Sequence, residues 1–453
     1  MSATRRQVLA TGASVAGIAF TGAVSELFAG TATAQEMGRR GYGPLVPDPR
    51  GLLDLPEGFR YRVLSRTGDA LRSGEGEVPG NPDGMAAFAG PHGRVRLVRN
   101  HENRADGKIG VPTVDGLTYD PMGKGGCTAL ELDGRNHVLG ERVAIAGTAV
   151  NCAGGPTPWG TWLTCEETED KAGTNGYTKD HGFVFEVDGA DPHRSGAVPL
   201  KAMGRFQHEA VAIDPREGVV YETEDAFERP FGLFYRFLPE KPLGSLGSLR
   251  AGGTLEAMRV PGVPDLSAVQ EPGTVFDRIE WVPVPDTQAK ETPIRLQDFG
   301  GKGITHAQKL EGCYWGGRSV YFVSSFAKSA EGSAADHFGQ VWRYEPGRRR
   351  LTLVVAFGPD TDIQLPGESP DNICLAPSGG LMVCEDGGGA QHVFGLTRDG
   401  ELYEMARGAE NIGTPEKPEW GEFAGVTFAP DGRTMYVNCY TPGTTFAITG
   451  PWR

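Results

Sequence analysis

The apolar positions of this chain fall in short runs, each preceded by a Pro-x-Gly turn or a close relative of one. Pro158-Trp159-Gly160 leads into Trp162-Leu163-Thr164-Cys165-Glu166, and Pro377-Ser378-Gly379 leads into Leu381-Met382-Val383-Cys384-Glu385-Asp386. Pro430-Asp431-Gly432 leads into Met435-Tyr436-Val437-Asn438, and Pro91-His92-Gly93 into Val95-Arg96-Leu97-Val98-Arg99. With one inserted residue, Pro215-Arg216-Glu217-Gly218 leads into a run from Val219 to Asp225, and Gly317 takes the proline slot before Val320-Tyr321-Phe322-Val323-Ser324-Ser325. Short runs bounded by turn residues predict strands, and convincing amphipathic helices are scarce. Six hairpins of one grammar, at irregular spacing, predict an all-β fold, a six-bladed β-propeller with inserted loops. The Gly- and Pro-rich segments 103–124, 168–180 and 240–300 are the candidate inserts between blades. Two packed β-sandwiches are the alternative arrangement.

Composition agrees with many tight turns: 67 glycines and 33 prolines stand among the 453 residues. The N-terminus adds a compartment. Thr4-Arg5-Arg6-Gln7-Val8-Leu9, an apolar stretch through Phe20 and the small residues Ala32-Thr33-Ala34 read as a twin-arginine signal over 1–34. That route carries folded proteins and suits a cofactor inserted before export. Residues 35–453 then form a single catalytic domain, periplasmic or secreted, with the twin-arginine translocase as partner during export. No other run reaches the length of a membrane span, so no stable membrane insertion is expected. A net charge of −14 argues against nucleic acid as a partner. Seven cysteines, odd in number and widely spread, are no disulfide framework. Cys127, Cys165, Cys313 and Cys439 read as small core residues, while Cys374 and Cys384 flank one hairpin and are candidates to pair across it.

Candidate chemistry comes from the repeat. Six residues before the proline slot stand Met85, Cys152, Glu209, Glu311, Asp371 and Ala424, four of them potential metal ligands. Eight residues after it stand Arg99, Glu166, the Glu222 to Asp225 cluster, Ser325, Glu385 and Asn438. Equivalent positions of successive blades point at one axis, so like charges distant in sequence converge and call for bound cations. Oxygen donors suit Ca(2+), and a thiolate beside packed carboxylates suits a transition metal such as iron. No standard zinc pair is present, and His101, His208 and His306 read as hydrogen-bonding partners.

These residues carry a resemblance. Arg99-Asn100-His101-Glu102, the stretch from Asn151 to Glu167 (Asn-Cys-Ala-Gly-Gly-x-Thr-Pro-Trp-Gly-Thr-Trp at its start), Gly204-Arg205-Phe206-x-His208-Glu209-Ala210, Glu311-Gly312 and Cys384-Glu385-Asp386-Gly387 resemble the PhoX-type alkaline phosphatases. The resemblance implies a six-bladed propeller, twin-arginine export and hydrolysis of phosphate monoesters at a cluster of Fe(3+) and Ca(2+). It makes Cys152 the iron thiolate ligand, with Glu209, Glu311 and Glu385 among the carboxylates. The full candidate ligand set is Cys152, Glu102, Glu166, Glu209, Glu224, Glu311, Asp371, Glu385 and Asp386. Lys309, where the family pattern would have an arginine, and Arg205 are the candidates to grip the phosphoryl group. No Gly-x-Ser-x-Gly nucleophile motif is present, so the attacking oxygen is expected from the metal centre. The expected substrate is a small-molecule phosphate ester and the expected state a monomer. A calcium-dependent lactonase-like propeller and a non-catalytic envelope propeller are the rival classes.

Overall fold

In a computed structural model, residues 41–398 and 400–452 are described, and the leader expected over 1–34 lies outside them. Six antiparallel sheets stand around one axis as the blades of a propeller. Their innermost strands are, in chain order, Pro82–Ala89, Asn151–Pro156, His208–Ile213, Leu310–Gly316, Pro370–Leu375 and Phe423–Phe428. Each packs against the innermost strand of the next blade, and the last returns to the first. The second strands, Val95–His101, Trp162–Glu166, Val220–Glu224, Ser319–Ser324, Leu381–Glu385 and Thr434–Cys439, are formed by the six runs that follow the turns, with Asp225, Ser325 and Asp386 just beyond the strand ends. Among the described residues no helix is long and apolar enough to cross a membrane.

Every blade is covered on both faces, which is why its strands read as unbroken apolar runs instead of alternating ones. Six apolar clusters fill the six clefts between neighbouring blades. In the strand Ser319–Ser324, Val320 and Phe322 face blade 3 while Val323 faces blade 5. Phe322 stacks on Phe234 of blade 3 with ring centroids 4.2 Å apart.

Two sequence expectations need correction. The stretch 240–300 is not simply a loop between blades: Gly253–Arg259 and Glu280–Pro283 extend blade 3, and Val275–Asp277 pairs with the outer strand of blade 4. Cys374 and Cys384 do not pair, and all seven cysteines are buried and free. Cys374 stands opposite Met382, so the two thiols occupy diagonal positions, which a disulfide does not span without backbone movement.

The ring closes through the two ends of the chain. Arg60–Arg66, which precedes blade 1, pairs along Thr444–Thr449 and becomes the outer strand of blade 6. A buried ion pair rivets this seam. Arg99 of blade 1, 1% exposed, donates to Glu141 at 2.7 Å, and also to Thr128 and to Thr445 of blade 6. Ser65 of the closing strand donates to the same Glu141 oxygen at 3.0 Å. Replacing Arg99 by methionine leaves the Glu141 carboxylate buried without a cation, and such a break costs about 3–5 kcal/mol. Thermal unfolding should therefore show Arg99→Met far less stable, with much of the loss restored in the double variant Arg99→Met/Glu141→Leu. Equal melting of the single variant and the parent would refute the role of the pair.

Candidate metal and active site

One backbone device, repeated in all six blades, builds the site. The ladder between first and second strands slips near its start, between Pro82 and Met85, Asn151 and Gly154, His208 and Val211, Leu310 and Cys313, Pro370 and Ile373, and Ala424 and Thr427. A bulge re-aims the extra residues away from the ladder. Just outside it, the N–H of Glu102, Glu167, Asp225, Ser325, Asp386 and Tyr440 donates to the carbonyl of Asn81, Val150, Gln207, Lys309, Ser369 and Glu422 respectively, at 2.8–3.1 Å. Four of these six acceptors, Asn81, Val150, Lys309 and Ser369, hold left-handed φ values of 46–52° although none is glycine. Such backbone is costly for an L-residue and persists where the surroundings over-determine it.

Small residues behind the bulge let the ring close tightly. A Cβ on Gly84 would lie 2.6 Å from the Ala153 Cα, and one on Gly312 would lie 2.5 Å from the Asp371 carbonyl oxygen. Gly425, with φ +67°, would put its Cβ 2.2 Å from the Asp83 carbonyl oxygen. Below the bulges the axis keeps a cavity of only about 30 Å3, bounded by residues of all six inner strands.

Above the bulges opens an acidic cavity. Of the sequence-predicted residues, Cys152, Glu102, Glu209, Glu311, Asp371, Asp386 and Lys309 line it. Asp83, Glu167 and Glu422 line it as well and were not singled out from the repeat, and of the Glu222 to Asp225 cluster it is Asp225 that lines it. Glu166, Glu224, Glu385 and Arg205 are placed elsewhere. Successive residues of a strand point to opposite sides, so Glu167, Asp225 and Asp386 face the axis while their predecessors turn back into the blades. There Glu166 accepts from the N–H groups of Ala149, Gly182 and Phe183 and pairs with His181 Nδ1 at 2.6 Å. Glu224 accepts from Tyr235 and Leu233 and pairs with Arg295. Glu385 accepts from the N–H groups of Gly367 and His392 and pairs with His392 Nδ1 at 2.9 Å. These carboxylates brace the strand ends. Arg205 spends its guanidinium on the carbonyls of Glu169, Gln288 and Ala289, tying the 240–300 segment to blade 2. His101, His208 and His306 hydrogen-bond backbone carbonyls.

Within the cavity, two sets of ligand atoms lie within 4.8 Å of one another: Cys152, Glu167 and Glu209, and Glu209, Glu311 and Asp371. Glu209 belongs to both. Burial and the neighbouring carboxylates push Asp83, Glu167, Glu209 and Glu311 well above the usual carboxylate range, and Asp371 up to about 7. Burial likewise raises the Cys152 thiol, with Glu209 and Glu167 adding to it. Burial alone would lower Lys309, but Asp225, Glu311 and Asp386 outweigh it and hold the ammonium well above its normal range. Lys309 contacts Glu311 and lies 3.6 Å from Asp225 and 3.9 Å from Asp386. One ammonium and Arg104, whose side chain is 66% exposed, cannot balance this many carboxylates.

Asp83 Oδ1, Glu209 Oε1 and Asp225 Oδ1 are buried without any hydrogen-bond partner. Orphaned carboxylate oxygens aimed at one space are costly unless a cation satisfies them. The donor set therefore fits bound metal, hard oxygens with one sulfur at the side.

A family model described as alkaline phosphatase PhoX matches residues 40–443. No curated protein matches the chain. Among solved structures, Pseudomonas fluorescens PhoX in complex with vanadate, described as a transition state analogue, superposes with TM-score 0.66 at 19% identity, covering 88% of this chain and 96% of that one. A gluconolactonase from Xanthomonas campestris reaches TM-score 0.42 at 14% identity, over 91% of this chain and 99% of its own. A family match over nearly the whole propeller, on a chain whose bulges gather a thiol and carboxylates at one axis, settles the assignment: this phosphatase belongs to the alkaline phosphatase PhoX family.

Proposed function

We propose that the chain is an exported alkaline phosphatase that hydrolyses small phosphate monoesters at a cluster of Fe(3+) and Ca(2+), with 35–453 as its catalytic propeller and 1–34 as a twin-arginine leader. The observation that carries this reading is the pair of ligand clusters joined by Glu209. Cys152, Glu167 and Glu209 offer a thiol with two carboxylates, and Glu209, Glu311 and Asp371 offer oxygen alone. Bound there, the cations would supply positive field for a phosphoryl dianion and hold an attacking oxygen in line.

The chain's own groups do the rest. Without cations the carboxylates repel any phosphate, so substrate binding depends on metal occupancy. Lys309 keeps its proton among Asp225, Glu311 and Asp386, and it offers a point charge to a non-bridging phosphoryl oxygen. Asp225 and Asp386 aim it from two further blades.

The test measures metal content of the exported protein beside its turnover of glycerol 3-phosphate. Iron and calcium should be present and phosphate should be released. Lys309→Met should lower kcat/KM by about 10- to 100-fold, the worth of a charged hydrogen bond, while leaving metal content unchanged. A protein replete in both metals that leaves phosphomonoesters intact would overturn the reading.

A further inference from the structure

The acidic cavity has one apolar side chain at its mouth. Phe227 lines it on the segment that follows Asp225, and the residue is 48% exposed. The Lys309 ammonium lies 5.1 Å from the ring centroid, so one face of the phenyl group is held by a cation. A half-exposed aromatic is unremarkable on open surface. Here it belongs to a cavity whose other lining residues, apart from Cys152 and Tyr440, are charged.

A phosphate monoester has two chemically different ends, and this cavity separates them. The phosphoryl dianion belongs with Lys309 and with the clusters that Glu209 joins, on the axis. The leaving group must then extend outward, past the residue that overhangs Lys309. Carboxylates offer a sugar or glycerol hydrogen-bond acceptors, but they offer an aromatic group nothing. Phe227 offers an aromatic group an exposed face at low entropic cost, because a phenyl ring has only two side-chain torsions to fix.

Resting on the phosphatase reading, we infer that Phe227 is a specificity-determining residue that selects phosphate monoesters carrying an aromatic group beside the ester oxygen. It contributes by stacking, and the chemistry at phosphorus does not need it.

The experiment compares benzyl phosphate with glycerol 3-phosphate, two esters of primary alcohols, on the metal-loaded protein. The parent should prefer benzyl phosphate in kcat/KM. Phe227→Ala should cut that preference by about five- to tenfold, chiefly through a higher KM for benzyl phosphate, as expected for one aromatic contact. Phe227→Trp should retain it, and turnover of glycerol 3-phosphate should stay within about twofold of the parent in both variants. Equal ratios in the parent and Phe227→Ala would overturn the inference while leaving the phosphatase reading intact. A parent that hydrolyses neither ester would overturn both.

Discussion

Cys152→Ala should yield a folded protein that has lost iron, visible colour and at least about 100-fold of its phosphatase activity, the cost expected when a metal site loses one of its own ligands. Nothing in the protein alone favours a thiolate at this position. Cys152 is buried, its Sγ lies 3.3 Å from the His208 carbonyl and 3.5 Å from that of Glu209, and two carboxylates stand beside it. These surroundings hold the proton on sulfur. Only a cation in the same space would draw it off, and a ferric thiolate absorbs visible light. Cys165 is the control. It is equally buried, but it packs with Leu163, Val184 and Phe206 between blades 2 and 3. Cys165→Ala should therefore cost about 1–2 kcal/mol of stability and leave colour and turnover in place. A coloured, active Cys152→Ala protein would return Cys152 to the core residues.

Stripping the cations should make stability depend steeply on pH. In the metal-free protein the cavity carboxylates have folded-state pKa values raised above their unfolded ones, Asp371 from 3.8 to about 7 and Asp83, Glu167, Glu209 and Glu311 in the same direction. The folded state then keeps protons that the unfolded state releases. At pH below the unfolded values both states are protonated and nothing is lost. As pH rises through that window, stability falls by about 1.4 kcal/mol per pH unit for each proton retained. Chelated protein should thus melt at least about 10 °C lower at pH 8 than at pH 5, whereas cation-loaded protein, whose carboxylates are ionised in both states, should change little. Parallel melting curves for the two forms across pH 5–8 would mean that the carboxylates do not face one another as described.

The hairpin grammar was legible because each blade must turn between its first two strands and bury both faces of the second. The ligands at that offset were legible where the second residue of the inner strand stands six residues before the turn slot, as Cys152, Glu209, Glu311 and Asp371 do. Asn151–Pro156, His208–Ile213 and Pro370–Leu375 each have six residues, and Cys152, Glu209 and Asp371 reach the cavity. In blade 1 the inner strand Pro82–Ala89 has eight, so the offset landed on Met85, which packs between blades 6 and 1, instead of Asp83. Blade 6 presents Ala424 at the ligand position, and Glu422 lines the cavity from the position that Lys309 holds in blade 4. The choice between Glu166 and Glu167 was not legible at all. Two adjacent carboxylates at a strand end have opposite fates, and the register beside a bulge decides which one faces the axis.

The tightness of the ring has a kinetic meaning. With Gly84, Gly312 and Gly425 pressed against neighbouring backbone, only about 30 Å3 is left on the axis beneath the ligands, room for a water or two and not for a phosphate ester. Phe227 and Arg104 line the acidic cavity above, which is the side from which an ester would reach the ligands. With the alcohol in the outer position, as inferred for Phe227, inorganic phosphate would leave last and would compete with incoming ester for one doorway.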